Sequence, residues 1–369
     1  MPGPARRGRG GPCRGLCRIG KDTCRCAPAA VTLWAEVIAM GATNGSGDGT
    51  GSTGTDTGYD VIVVGAGAAG LSAALVLGRA RRRVAVVDSG EPRNAPAAQM
   101  HGFLSRDGMP PAELLAVGRA EAGRYGVEFF DALADEITAD GGGFGLRLAG
   151  GALLTARRVL VATGLRDELP DLPGVRERWG RDVLHCPYCH GYEVRDEPLG
   201  VLGTGPGSVH QALMVRQWSG DVVLFAQGVE PDAEQREQLA ARGVRIEETP
   251  VKRLAVADGA LRGVELTDGR VVPRTAVFTA PRMVPRDGLL TPLGCARDET
   301  TGAVVTDGTG RTSVAGVWAV GNVTDARAQV PVAVGAGAAA AMDINNGLVA
   351  EDVAGAVAAA RAVSATTGA

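Results

Sequence analysis

A short apolar run feeding a glycine-rich turn constrains this chain more than any other feature. Asp60 to Val64 reads as a buried parallel strand, and Gly65-Ala66-Gly67-Ala68-Ala69-Gly70 follows it as G-x-G-x-x-G. Ala66 to Arg79 has helical composition, and Arg83 to Asp88 is a second short strand ending on an acid. Strand, turn, helix and strand make a βαβ unit. In that setting Gly65, Gly67 and Gly70 permit the tight turn and let the backbone at Ala68 and Ala69 reach a pyrophosphate on the helix N-terminus. Asp88, with Ser89 beside it, is placed to accept from a ribose hydroxyl.

The pattern returns further along. Leu199 to Leu202 is a strand, Gly203-Thr204-Gly205-Pro206-Gly207-Ser208 a second loop, Ser208 to Trp218 a helix and Asp221 to Ala226 a strand. This loop keeps Gly203 and Gly205, but Ser208 replaces the third glycine. Ala226-Gln227-Gly228 then stands where a ribose-binding acid or a phosphate-binding arginine cluster is expected, and the next arginine is Arg236. Binding of NADPH or NADH is left open on these residues. Two such units predict an α/β fold with two Rossmann-like, three-layer nucleotide-binding domains. Between and after them the sequence predicts a helix over Pro111 to Tyr125 and an antiparallel insert over Val127 to Leu154. Arg158 to Ala162 reads as a strand ending in Thr163-Gly164, and Arg253 to Val272 as a β-rich stretch. Strands Thr275 to Thr279 and Val317 to Val320 and a helix from about Pro331 to Asn345 complete the pattern, with an extra helix or a loose tail beyond about Gly347.

Composition narrows the partners. Of 369 residues 45% are hydrophobic and 21% charged, the balance of a globular protein, and the formal net charge of −3 argues against a nucleic-acid footprint. No apolar run reaches the roughly 18 residues of a membrane span. Residues 1–58 are low in complexity and expected to be a disordered leader; Met40 is read as the natural start, although Arg6 to Ala42 superficially resembles a signal peptide.

Seven cysteines divide into three groups. Cys13, Cys17, Cys24 and Cys26 lack the paired spacing of a zinc site, and Cys295 stands alone. Cys186-Pro187-Tyr188-Cys189 forms C-x-x-C, whose thiols at i and i+3 can close a small disulfide and reopen by thiolate attack. His185 and His190 flank the pair, where an imidazolium would lower a thiol pKa and an imidazole would shuttle its proton. With no second paired spacing for a metal, redox chemistry is the expected role, and no metal is assigned.

Taken together these motifs resemble the thioredoxin-reductase-like group of pyridine nucleotide–disulfide oxidoreductases. The likeness spans Tyr59 to Asn345 and keeps the family's order: G-x-G-x-x-G, Ala162-Thr163-Gly164, C-x-x-C, a second glycine loop, and Gly316-Val317-Trp318-Ala319-Val320-Gly321-Asn322-Val323. The resemblance implies an FAD-binding domain formed by residues 59–169 and 283–348, a nucleotide-type domain over 170–282 inserted into it, and a tail over 349–369. It implies FAD contacts from the first glycine loop, Asp88, Ser89, Arg93, Ala162, Thr163, Gly164, Gly321, Asn322 and the backbone of Gln329 and Val330. Cys189 would face the isoalloxazine and Cys186 the substrate. His190 occupies the family's general-acid Asp position, and Asn322 replaces an Asp that bonds the ribityl chain. His101 lies where the family's chain passes the flavin and is read as a capping or packing residue. The resemblance further implies a cytoplasmic homodimer acting on a thioredoxin-like protein or a small dithiol or disulfide. The altered second loop together with C-x-x-C-H-G is similar to dithiol oxidases of the gliotoxin and holomycin type, which close a disulfide and pass electrons to oxygen. Both directions stay open, as does a non-catalytic flavin-fold module.

Overall fold

The computed structural model describes residues 58–367. The leader before Gly58, with its four cysteines, lies outside them. The chain opens with β1 (Tyr59–Val64), α1 (Ala68–Arg79), β2 (Val84–Asp88), α2 (Pro111–Gly123) and β3 (Glu128–Asp131), followed by β4 (Ala134–Asp140), β5 (Gly143–Leu148) and β6 (Leu153–Val161). Strands β3, β2, β1 and β6 run parallel, whereas β4 and β5 pair antiparallel beside the first half of β6. The expected antiparallel insert is therefore split. Glu128 to Asp131 joins the parallel sheet, and only the segment after it folds back.

On β7 (Leu165–Glu168) the chain leaves this sheet for α3 (Val175–Arg178), β8 (Val183–Leu184), α4 (Pro187–His190), β9 (Leu199–Leu202), α5 (Ser208–Val215), β10 (Val222–Phe225), α6 (Ala233–Ala241) and β11 (Arg245–Glu247). An antiparallel trio follows, β12 (Val251–Ala257), β13 (Ala260–Leu266) and β14 (Val271–Pro273), and then β15 (Ala276–Thr279). The second sheet, ordered β11-β10-β9-β15-β8, is wholly parallel. The chain returns on β16 (Arg282–Pro285), which pairs antiparallel with β7. It then adds β17 (Val317–Ala319) to the first sheet beside β6 and ends in α7 (Val330–Thr367).

Both faces of the first sheet are covered, as its continuous apolar strands require. Val61 and Val63 pack with α1 and α7, while Ile62 and Val64 pack with the β4–β5 hairpin and the buried free Cys295. Helix α7 runs past the expected end near Asn345 because its Ala-rich continuation favours helix and holds no proline, which outweighs Gly347 and Gly355. Its acids also pair with the body: Arg82 and Arg157 bond Asp352 at 2.8 and 2.7 Å, and Arg158 bonds Glu351. The contact that matters for the site is α7 on α1. Ser72 Oγ donates to the Val334 carbonyl at 2.8 Å, and a Cβ on Gly337 would lie 2.0 Å from the Ala69 carbonyl oxygen. Helix α7 thus seats the first turn of α1.

Candidate active site

Sequence dictates the cradle. Strand β1 stops at Val64, Gly65 turns with φ +104°, and α1 starts after Gly67 with no side chain capping its amides. Those uncapped N–H groups and the positive end of α1 are suited to a phosphate. Gly70 is the packing glycine: its Cβ would lie 1.8 Å from the Gly65 carbonyl oxygen, so α1 can sit this close to β1 only without a side chain there. Asp88 closes β2 and accepts from the amides of Ala66 at 2.9 Å and Gly90 at 3.2 Å.

These residues open on one cavity of about 950 Å³. Gly65, Gly67, Ala68, Ala69, Asp88, Ser89 and Arg93 line it, together with Ala162, Thr163, Gly164, Gly321, Asn322, Gln329 and Val330. Cys186, Cys189 and His190 line it as well. Gly70 does not, nor do Gly203, Gly205 and Ser208. The wall is braced across the chain: Thr163 Oγ1 donates to the Arg286 carbonyl at 2.6 Å, and the Arg286 amide to the Gly164 carbonyl at 2.9 Å. An elongated mixed ligand with a phosphate-bearing half fits a cavity with a glycine cradle, an acid beside it and an apolar wall. Those features suit the FAD expected from the sequence.

Arg93 is not a free phosphate ligand. Its guanidinium forks onto Asp167, at 2.8 Å from Nε and 2.8 Å from Nη2, and its Nη1 donates to Asn322 Oδ1 at 3.2 Å. Asn322 uses its other end on its own loop, Nδ2 donating to the carbonyls of Asp325 and Ala328, each at 2.9 Å.

The two cysteines are joined as a disulfide, with Cα atoms 5.3 Å apart. Cys186 stands just before α4, and its Sγ accepts from the Cys189 amide at 3.2 Å and from Gln329 Nε2 at 3.8 Å. Tyr188, between the cysteines, is 64% exposed, and Cys186 and Cys189 are themselves half-buried. His185 Nδ1 lies 3.2 Å from the Thr279 carbonyl, and Gln211 Nε2 donates to the His185 carbonyl at 2.9 Å. Burial holds both imidazoles below the usual histidine range. For His185 the Thr279 carbonyl partly offsets it; for His190 Glu193 pulls upward while His101 adds to the lowering. A lowered pKa favours the neutral imidazole, which can accept a proton, as the shuttle role expected for these residues requires.

His101 does more than cap a turn. It lines the cavity between two carboxylates, Nδ1 3.4 Å from Asp107 and Nε2 3.5 Å from Glu193, and so bridges the first unit to the segment after the cysteines. The partners Asp167 and Glu193 carried no sequence signal, because each earns its place only through a residue far away in the chain.

The second glycine loop is closed on itself. Ser208 Oγ, buried, accepts from the amides of Thr204 at 3.0 Å and Gly205 at 3.3 Å. Gln227, at φ +48°, turns its side chain inward to accept from the Val251 amide at 2.9 Å. Arg236 pairs with Glu248 and Arg270 with Glu247 and Asp268.

Comparison with known proteins points to one family. The family model described as pyridine nucleotide-disulphide oxidoreductase matches residues 59–337. The thioredoxin reductase tcpT of Claviceps purpurea is 33% identical over 289 residues, covering 75% of this chain and 90% of the relative. The thioredoxin reductase sirT of Leptosphaeria maculans is 31% identical over 302 residues, covering 77% and 92%. Among solved structures, HlmI superposes with a TM-score of 0.81 at 61% identity over 84% of this chain and 98% of that one. An oxidoreductase from Agrobacterium tumefaciens gives 0.75 at 40% identity over 79% and 99%.

Proposed function

The chain belongs to the pyridine nucleotide–disulphide oxidoreductase family, and from that premise we propose that it is an FAD-dependent thiol–disulfide oxidoreductase working through Cys186–Cys189. The observation that carries this reading is the single cavity running from the glycine cradle to the disulfide. Gly65 to Ala69 and Asp88 hold the nucleotide half of the cofactor, and Ala162 to Gly164, Gly321, Asn322 and Val330 hold the remainder. Bound FAD supplies a two-electron carrier beside the sulfur pair. The residues of the chain do the rest. Cys186 exchanges with the substrate, Cys189 serves the flavin side, and His190, kept neutral by burial, takes or returns the proton of the reacting thiol. Among described helices none is long and apolar enough to cross a membrane. A cytoplasmic homodimer is part of the proposal, checked by localisation and by light scattering on the purified protein.

One observation favours the dithiol oxidase over the reductase. A nicotinamide dinucleotide needs the amides of its glycine loop and a group for its ribose, whereas here Ser208 takes the amides and Gln227 faces β12. In the oxidase direction a substrate dithiol would reduce Cys186–Cys189, and bound FAD would supply the route for the two electrons from the pair to oxygen. The test is anaerobic reduction of the flavin-loaded protein followed at the flavin's visible band. Bleaching by a dithiol such as dithiothreitol, none by NADPH or NADH, and recovery in air are expected. Rapid bleaching by NADPH would return the chain to the reductases, and a protein that takes up no FAD would overturn both readings.

A further inference from the structure

Resting on the proposed dithiol chemistry, we infer that Gln329 is a catalytic residue that holds negative charge on Cys186, and that Asn322 is the positioning residue that keeps it there. The reaction requires such a charge. A substrate thiolate attacks Cys186 Sγ, a sulfur–sulfur bond forms between them, the Cys186–Cys189 bond breaks, and Cys189 departs as thiolate. The second substrate thiolate then attacks the substrate sulfur of that mixed disulfide. The substrate's own disulfide closes and Cys186 departs as thiolate. Two electrons pass from the substrate to the pair, and the two thiol protons go to base and solvent. In the reductase direction the same Cys186 thiolate is the attacking group.

What could stabilise it is limited. With the disulfide closed, burial lowers the pKa of both flanking imidazoles, His185 and His190, which disfavours their cationic forms. Arg93, the cation beside His185, is spent on Asp167, and His101 faces Asp107 and Glu193 across the cleft. Among the described residues none of these side chains hydrogen-bonds Cys186 Sγ. Two N–H groups do reach Cys186 Sγ among the described residues: the Cys189 amide at 3.2 Å and the Gln329 side chain at 3.8 Å. Hydrogen bonds to the charged form of a group lower its pKa. The Cys189 amide is built into the motif, so Gln329 is the tunable donor, and it arrives from the far wall of the cavity.

Asn322 explains how it is held. Its Nδ2 donates to the carbonyls of both Asp325 and Ala328, closing the loop whose next residue is Gln329, and its Oδ1 accepts from Arg93. A carboxylate at 322 could accept from Arg93 but would face two carbonyl oxygens with no hydrogen to offer. Asn at 322, rather than Asp, thus fits this chain's use of the position as a clamp on the 325–329 loop.

The test reads the thiol directly. In the full-length flavin-loaded Cys189→Ser protein, the rate of Cys186 alkylation by iodoacetamide is followed against pH, with the Cys186 peptide quantified by mass spectrometry so that the other cysteines do not interfere. Adding Gln329→Leu is expected to raise the alkylation midpoint by about one pH unit, a tenfold loss of thiolate at a pH below it. Gln329→Lys, which restores an N–H donor with charge, is expected to leave the midpoint at or below that of the parent. Asn322→Asp is expected to raise it in the direction of Gln329→Leu. An unchanged midpoint in Gln329→Leu overturns the role of Gln329; should that variant fail to hold flavin, an upward shift in Gln329→Lys overturns it instead. An unchanged midpoint in Asn322→Asp overturns the clamp. Alkylation needs no turnover, so a midpoint shift in a protein that no dithiol reduces would leave this inference standing while the proposed function fell.

Discussion

Gly337 sits in the third turn of α7, and replacing it with alanine sets two effects of opposite sign against each other. In a helix interior, Gly→Ala gains about 0.8–1 kcal/mol of intrinsic propensity. The new Cβ, however, would lie 2.0 Å from the Ala69 carbonyl oxygen and 2.9 Å from its carbon. Those are backbone atoms in the first turn of α1 and cannot swing aside like a side-chain end. Forcing a methyl into a filled interface costs roughly 1–3 kcal/mol, and an approach this close to backbone belongs at the upper end. Overpacking wins, leaving a net loss of about 1–2 kcal/mol. At about 2–4 °C per kcal/mol this lowers Tm by about 2–8 °C. Gly335, two residues earlier, is the control: nothing lies within 4 Å of its Cβ, so Gly335→Ala keeps only the propensity gain and raises Tm by about 2–4 °C at most. Differential scanning calorimetry on both variants, with flavin per protomer measured by absorbance, reads the result. Gly337→Ala should also lose flavin, because the helix end it displaces forms the phosphate cradle. If Gly337→Ala melts at or above the wild type, the proposed seating of α1 by α7 is refuted.

Other outcomes can be checked on the same material. Cys189→Ser should abolish thiol-to-flavin charge-transfer absorbance while Cys186 can still be trapped as a mixed disulfide; dithiol turnover persisting in this variant would reverse the assignment of the two sulfurs. Since burial lowers the His185 and His190 pKa values in the folded state, the unfolded chain binds more protons on acidification, so stability should fall as pH drops through about 6.5 towards the folded values. The His185→Asn/His190→Asn protein should show a flatter urea-midpoint profile over that window, and an identical profile would contradict the burial argument. Ser208→Ala leaves the Thr204 and Gly205 amides without their acceptor and should cost about 1–3 kcal/mol in urea unfolding, at about 0.5–1.5 kcal/mol per bond; no loss would mean that the loop is held by something else.

What was legible in the sequence is what local chemistry enforces. Gly65 and Gly70 announce a helix pressed on a strand, and the structure shows the carbonyl contact that forbids a side chain at Gly70. Ser208 and Gln227 were readable as departures from a nucleotide loop, although their new partners, the loop's own amides and Val251, were not. The reach of α7 was hidden because Gly347 and Gly355 weaken the helical signal of its Ala-rich end, and the arginines that pair with it, Arg82, Arg157 and Arg158, sit on other elements. Gln329 and Cys186 touch across 143 positions of chain, a distance that no spacing rule can bridge. From the sequence Asn322 reads as a flavin ligand standing in for an Asp. Its two loop carbonyls lie within six residues, but only the folded backbone turns them towards its amide.

The β7–β16 ribbon has an engineering consequence. Glu168 and Arg282 are cross-strand partners, so the chain departs for the second sheet and comes home at the same doorway. A two-residue Asn-Gly turn spans such a gap, and grafting one between these residues would excise everything from Leu169 to Pro281 while leaving every strand of the first sheet in register. The half that cradles the cofactor would become a stand-alone socket, and the cysteine-bearing half a cartridge open to exchange.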